Sequence, residues 1–107
     1  MALSDLQKKI ENRSAKLAVI GLGYVGLPVA ALFAKKGFRV IGIDLKKDRI
    51  NLINKGFSPI EGKEPGLNDL IKDVVAEGAL KATTDYQELS DVDVIFIDVE
   101  TPVNNNH

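Results

Sequence analysis

Residues 16–47, "KLAVIGLGYVGLPVAALFAKKGFRVIGIDLKK", decide the fold. A short apolar run ends in spaced glycines, a run with helical spacing follows, and a second apolar run ends in an aspartate. Residues 16–20, brief and bounded by glycine, suit a buried parallel strand. Residues 24–36 place Val25, Val29, Leu32 and Phe33 on one expected helix face, and Gly37 stands where a left-handed C-terminal cap belongs. Pro28 fits the first turn of that helix, where a missing amide costs little. Residues 38–44, "FRVIGID", read as a second buried strand.

Working outward, residues 46–56 predict a second helix with Ile50 and Ile53 inward and Gly56 ending it. Residues 57–66 form a turn-rich loop. Pro65 suits the first position of a third helix over 66–77, with Leu67, Leu70, Ile71 and Val74 on one face and Gly78 closing it. "ALKAT" (79–83) reads as a short strand, "DYQEL" (85–89) as one helical turn, and "VDVIFIDV" (92–99) as an apolar strand. Residues 1–14 predict an amphipathic helix, with Ser4 and Gln7 at capping-box spacing and Leu6 and Ile10 four apart, packed on the flank of a domain over 15–107. Strands alternating with helices imply an α/β fold of the Rossmann type: a doubly wound parallel sheet, covered on both faces, with right-handed crossovers.

Gly21, Gly23 and Gly26 make G-x-G-x-x-G directly after a strand and at the opening of a helix, the setting of a dinucleotide-binding fingerprint. Gly21 permits the tight turn, Gly23 lets the backbone approach a pyrophosphate, and Gly26 lets the helix lie close to the first strand. The amides near Leu22 to Val25, Tyr24 among them, are expected to be unpaired at the helix start, where the dipole favours an anion. Asp44 ends the second strand 18 residues past Gly26, where a carboxylate accepts hydrogen bonds from the adenosine ribose. The same charge repels a 2′-phosphate by roughly 1 to 4 kcal/mol at about 4 Å. The cofactor expected is therefore NAD rather than NADP. Lys46, Lys47 and Arg49 are expected on the solvated face of the second helix, close enough to weaken that preference.

Composition limits the rest. The 107 residues fit one domain. Lys plus Arg number 14 against 15 for Asp plus Glu, a net charge of −1, so neither nucleic acid nor an anionic membrane is an expected partner. No apolar run reaches the roughly 20 residues of a membrane span, and residues 1–13 lack a signal-peptide core. A soluble, cytoplasmic chain is expected. With no cysteine, disulfides, thiolate metal sites and thiol nucleophiles are excluded, and no metal site is expected.

The segments "GLGYVGLPVA", "VIGID", "INKGFSPIEGKEPGL", "ATTD" and "ETPV" together resemble the N-terminal NAD-binding domain of the UDP-glucose/GDP-mannose dehydrogenase family. The "TPV…NH" ending is most similar to the UDP-N-acetylmannosamine dehydrogenase branch. The resemblance runs from Lys16 to the end of the chain. It implies a nucleotide-sugar 6-dehydrogenase that oxidises the sugar C6 alcohol to a carboxylate for surface polysaccharide, reducing two NAD and taking a UDP-sugar as substrate in a longer parent. It implies that Thr83 and Thr101 line the cofactor site, with Glu64 and Pro65 beside it. Two positions depart from the family. Asp98 stands where members usually carry cysteine or another uncharged residue, and Glu100 where they carry a small residue or proline; both carboxylates would sit near a negatively charged ligand. "VNNNH" also replaces a more acidic run.

Family members place a nucleophilic cysteine and a catalytic lysine in segments beyond those matched here. A covalent route through a thiol is closed to a chain without cysteine, so this chain is expected to be an inactive fragment carrying four strands in the order 3-2-1-4. Its fourth strand would then present an open apolar edge, either paired with a second copy as a homodimer or shielded by the first helix. Two other readings share the glycine fingerprint: a stand-alone NAD-binding regulatory module, and a hydroxyacid or sugar-phosphate dehydrogenase. "GYVGLP" and "EPGL" argue against the first, "TTD" and "ETP" against the second.

Overall fold

The computed structural model of the chain describes residues 3–60 and 66–98; the expectations for Glu64, Pro65, Glu100 and Thr101 lie outside the described residues. In chain order the elements are α1 (Leu3–Glu11), β1 (Lys16–Ile20), α2 (Gly26–Lys35), β2 (Arg39–Ile43), α3 (Lys47–Asn54), α4 (Leu67–Ala76), β3 (Leu80–Thr83), a 3-10 helix (Tyr86–Asp91) and β4 (Val94–Ile97). The strands form one parallel sheet in the order β3-β2-β1-β4, as expected. Its two central strands begin in register, Lys16 opposite Arg39 and Ile20 opposite Ile43, so both end at one edge, beside the loops that follow them.

The register sorts side chains by face, because paired residues in a parallel sheet point the same way. Leu17, Val40, Leu80 and Val94 share one face with Val19, Ala82 and Phe96. That face holds the core: Leu17, Val19, Val40, Leu80 and Ala82 are buried in one cluster with Leu27, Ile53, Ile71 and Val74 from the helices. Helices on both faces were expected. Instead α4 touches both α2 and α3, their buried residues meet in one cluster on the same face, and the crossover from β3 to β4 contains only the 3-10 helix. The second face buries Ala18 and Ile43 on the central strands but leaves Ile95 and Ile97 of β4 exposed.

The helix face of α2 also differs from the expected one. Val25 and Leu32 are 61% and 52% exposed, while Leu27, Ala30, Ala31 and Ala34 are buried. Size decides this. A helix lying close to a sheet offers its narrow alanine side to the strands, whereas apolar periodicity alone points to the larger residues. Phe33, half-buried, bridges outward to Phe38 and Phe96 with ring centroids 5.9 and 5.5 Å apart. In α3 and α4 the expected inward residues Ile50, Ile53, Leu67, Ile71 and Val74 are buried, and Leu70 is partly buried against them.

At the N-terminal side, α1 begins at Leu3, so Ser4 lies within the helix rather than at its cap. Its tie to the domain is polar: Lys9 Nζ lies 3.2 Å from Asp93 Oδ1, and the Lys16 amide donates to Asp93 Oδ2 at 2.9 Å. Ile10 remains 44% exposed.

The outer edge of β3 is closed by a side chain. Asn54, the last residue of α3, donates through Nδ2 to the Ala82 carbonyl at 2.8 Å and accepts from the Ala82 amide through Oδ1 at 2.9 Å. This imitates a neighbouring strand and leaves no free pair at the middle of the edge. Asn54→Ala is expected to destabilise the chain by about 1 to 3 kcal/mol, the cost of stranding partly buried backbone groups. Chemical denaturation checks this; a midpoint unchanged from that of the parent would show that water replaces the amide at no cost.

Candidate functional site

The loop after β1 and the loop after β2 meet at one end of the sheet. Gly21 follows the strand with φ 94°, its amide donating to the Ile43 carbonyl at 2.7 Å. A Cβ there would lie 1.9 Å from the Asp98 carbonyl oxygen, and one on Gly26 1.8 Å from the Gly21 carbonyl oxygen. Both contacts are with backbone, so neither position has room for a side chain. Leu22, between the first two glycines, is fully buried and packs over Gly42 of β2, where a Cβ would come within 2.9 Å of its methyl groups. The loop thus turns tightly, plugs one side chain into the core, and enters α2 with its backbone bare.

Val25, the N-cap residue of α2, caps nothing with its side chain. Among the described residues the amides of Gly23, Tyr24 and Val25 donate to no protein acceptor, whereas the Leu22 amide, expected to be free with them, turns inward with its buried side chain and donates to Asp44; Tyr24 is 70% exposed. These donors lie at the positive end of a ten-residue helix, a combination that favours an anion.

Asp44 faces this loop from the end of β2. Only 9% exposed, it accepts from the Leu22 amide through Oδ2 at 2.9 Å and from the Lys46 amide through Oδ1 at 2.9 Å. Arg49 Nη1 donates to Oδ2 at 3.1 Å. Burial alone would push the Asp44 carboxyl up, but the Lys46 and Leu22 amides and the Arg49 guanidinium outweigh it and hold it below its ordinary value. The carboxylate is therefore ionised at neutral pH and fixed in orientation. Arg49 was expected on a solvated face; it turns inward instead, because its site one turn into α3 brings the guanidinium back over the strand end.

The two loops enclose an open cleft of about 280 Å³ lined by Gly21, Gly23, Asp44, Leu45, Tyr86 and Asp98, among others. Gly21, Gly23 and Asp44 are thereby brought together as expected, with Tyr24, Val25 and Gly26 continuing from the same loop. Thr83 does not join them: it ends β3 outside the cleft lining, and its Oγ1 accepts from the Asp85 amide at 3.0 Å. Leu45 and Tyr86, 79% and 45% exposed, add apolar surface that spacing arguments missed, since Leu45 lies in a loop and Tyr86 opens a short 3-10 helix, neither long enough to show a periodicity. Asp98 Oδ2 accepts from the Gly26 amide at 2.9 Å. A bare glycine turn, free helix-start donors and an oriented carboxylate across a cleft fit the pyrophosphate and ribose of a dinucleotide.

The family model for the NAD binding domain of the UDP-glucose/GDP-mannose dehydrogenase family matches residues 15–107. Over 97 residues the chain is 46% identical to a UDP-N-acetyl-D-mannosamine dehydrogenase of Campylobacter jejuni, covering 90% of this chain and 23% of that protein. A GDP-mannose 6-dehydrogenase of Pseudomonas putida is 42% identical, over 85% of this chain and 20% of its own length. Among solved structures, a ternary complex of GDP-mannose dehydrogenase from Pseudomonas aeruginosa superposes with a TM-score of 0.77 at 42% identity, covering 84% of this chain and 20% of that one. An NDP-N-acetyl-D-galactosaminuronic acid dehydrogenase from Methanosarcina mazei gives 0.80 at 37%, covering 97% and 24%. The chain spans about a quarter or less of the length of each of these relatives.

Proposed function

The chain belongs to the UDP-glucose/GDP-mannose dehydrogenase family, and on that premise we propose that it is the NAD-holding part of a nucleotide-sugar 6-dehydrogenase of the UDP-N-acetylmannosamine or UDP-glucose type. The observation that carries the reading is the pairing of unoccupied amide donors at the head of α2 with the buried, ionised Asp44 across one cleft. In this reading the amides of Gly23, Tyr24 and Val25 take the pyrophosphate, and Asp44, oriented by Arg49, takes the adenosine ribose hydroxyls. Leu45 and Tyr86 offer apolar surface to the adenine. Family resemblance would add Thr101 to the cofactor site, and would add Thr83 only if the ligand reaches past the cleft lining to the end of β3. NAD, when bound, supplies the hydride acceptor for oxidation of a sugar C6 alcohol.

The reading assigns no catalytic residue to these 107 residues, which contain no thiol. It places the chain in the cytoplasm; no helix among the described residues is long and apolar enough to cross a membrane. The test follows NADH fluorescence with NAD and, in turn, UDP-N-acetylmannosamine, UDP-glucose and GDP-mannose. The chain alone is expected to bind NAD and form no NADH, while a longer parent carrying the cysteine-bearing domain forms two NADH per sugar oxidised. NADH formed by the chain alone, or no nucleotide sugar oxidised by the parent, would contradict the reading.

A partner for β4 follows as well. Ile95, Phe96 and Ile97 are 45%, 46% and 66% exposed, and β4 pairs only with β1 among the described residues. In the isolated chain this edge is proposed to pair with a second copy. Sedimentation should show a dimer that dissociates on dilution, and a monomer at every concentration would rule the pairing out.

A further inference from the structure

A dinucleotide cleft with free donors at its floor should welcome a pyrophosphate, yet this one already contains an anion. Asp98, directly after β4, is held by its main chain, its amide donating to the Ile20 carbonyl at 2.8 Å. Its carbonyl oxygen is packed so closely against Gly21 that no Cβ fits between them. The side chain that leaves this fixed point turns onto the head of α2, where Oδ2 accepts from the Gly26 amide at 2.9 Å. Asp98 also lines the cleft, and among the described residues no cation pairs with it. It differs in this from Asp44, whose charge is partly met by Arg49. The carboxylate thus spends the field of the helix terminus, and one of its donors, on an internal group one residue beyond the amides a phosphate would use.

We propose that Asp98 is a built-in anionic competitor for the pyrophosphate, and that its charge sets how weakly this chain holds a dinucleotide. The proposal rests on the reading that the cleft takes NAD. Its physical basis is simple. A negative group fixed at a helix N-terminus stabilises the helix and repels a second anion brought to the same end. Stability and affinity should therefore move in opposite directions when the charge is removed.

The test is calorimetric titration of the chain and of Asp98→Asn with NAD, ADP-ribose and adenosine, with melting of both proteins. Asparagine keeps the shape and an oxygen for the Gly26 amide while losing the charge; Asp98→Ser, shorter and also uncharged, serves as a second variant. Both variants are expected to bind NAD and ADP-ribose at least tenfold more tightly, or about 1.4 kcal/mol. Adenosine, which lacks the pyrophosphate, should bind equally to all three proteins. The variants should also melt lower by a few degrees. Added salt should strengthen NAD binding to the parent chain by screening the repulsion, and not to the variants.

Equal or weaker NAD binding by the uncharged variants would overturn the proposal while leaving the cofactor reading intact, and would make Asp98 a residue that positions the loop. Folded proteins that bind neither NAD nor adenosine would overturn both.

Discussion

Gly26→Ala is expected to abolish measurable dinucleotide binding and to lower the stability of the chain by about 1 to 3 kcal/mol, the usual cost of forcing a methyl group into a packed site. The added Cβ would lie 1.8 Å from the Gly21 carbonyl oxygen and 2.9 Å from its carbon. Neither atom belongs to a side chain that could swing aside. Relief requires α2 to move away from the end of β1, and this displaces the amides of Tyr24 and Val25 from the position at which they serve an anion. Gly66→Ala is the control. Unlike Gly26 it stands at positive φ, 83°, but a methyl group there meets nothing within 4 Å among the described residues, so it should cost about 1 to 2 kcal/mol in backbone strain and leave binding unchanged. Titration with NAD alongside thermal melting separates the two. If Gly26→Ala binds as tightly as the parent chain, the close packing of helix on loop has no part in holding the ligand.

The contrast between these glycines marks how far the sequence could be read. The succession of strands and helices and the meeting of Gly21, Gly23 and Asp44 follow from local signals, namely apolar runs, glycine spacing and a carboxylate at a strand end, whereas the strand order came from the family resemblance. What did not follow depended on approach between distant segments. The alanine side of α2 was missed because periodicity registers hydrophobicity and not the closeness of the sheet. Asn54 gave no sign that it would complete the edge of β3, since its partner Ala82 lies 28 residues away. Arg49 read as a solvated helix residue because its value to Asp44 exists only once α3 has folded back over β2. Asp98 could be seen as an unusual charge, but its bond to Gly26 required the parallel pairing of β4 with β1.

Asp44→Ala should change which dinucleotide is preferred. In the parent chain NAD is expected to bind at least tenfold more tightly than NADP, because a 2′-phosphate would meet a buried carboxylate at a cost of about 1 to 4 kcal/mol. The substitution removes that repulsion and also releases Arg49, whose Nη1 now lies 3.1 Å from Oδ2, to meet a phosphate. NAD should weaken at least tenfold with the loss of its ribose acceptor, and NADP should become the preferred ligand. In Asp44→Ala combined with Arg49→Ala, NADP should weaken again. A variant that still favours NAD would show that the carboxylate is not the selecting group.

The same substitution carries a stability cost. It leaves the Leu22 and Lys46 amides without their acceptor and the half-buried Arg49 without its counter-charge, worth about 2 to 5 kcal/mol together. The pH dependence has a defined sign. Because the folded protein holds the Asp44 carboxyl below its ordinary value, the unfolded chain binds the proton first. The contribution is whole above about pH 4 and is lost as pH falls through the lowered folded value. Melting temperature should therefore drop on acidification below about pH 4 more steeply in the parent chain than in Asp44→Ala.

The central claim is that the head of α2 and the end of β2 grip the two halves of one dinucleotide, and a heteronuclear NMR titration of the chain with NAD tests it most directly. Amide resonances of residues 22–26 and 44–46 should shift together and saturate at one ligand concentration, while those of α4 stay in place. Shifts confined to other surfaces, or a folded spectrum that NAD leaves unchanged, would contradict it.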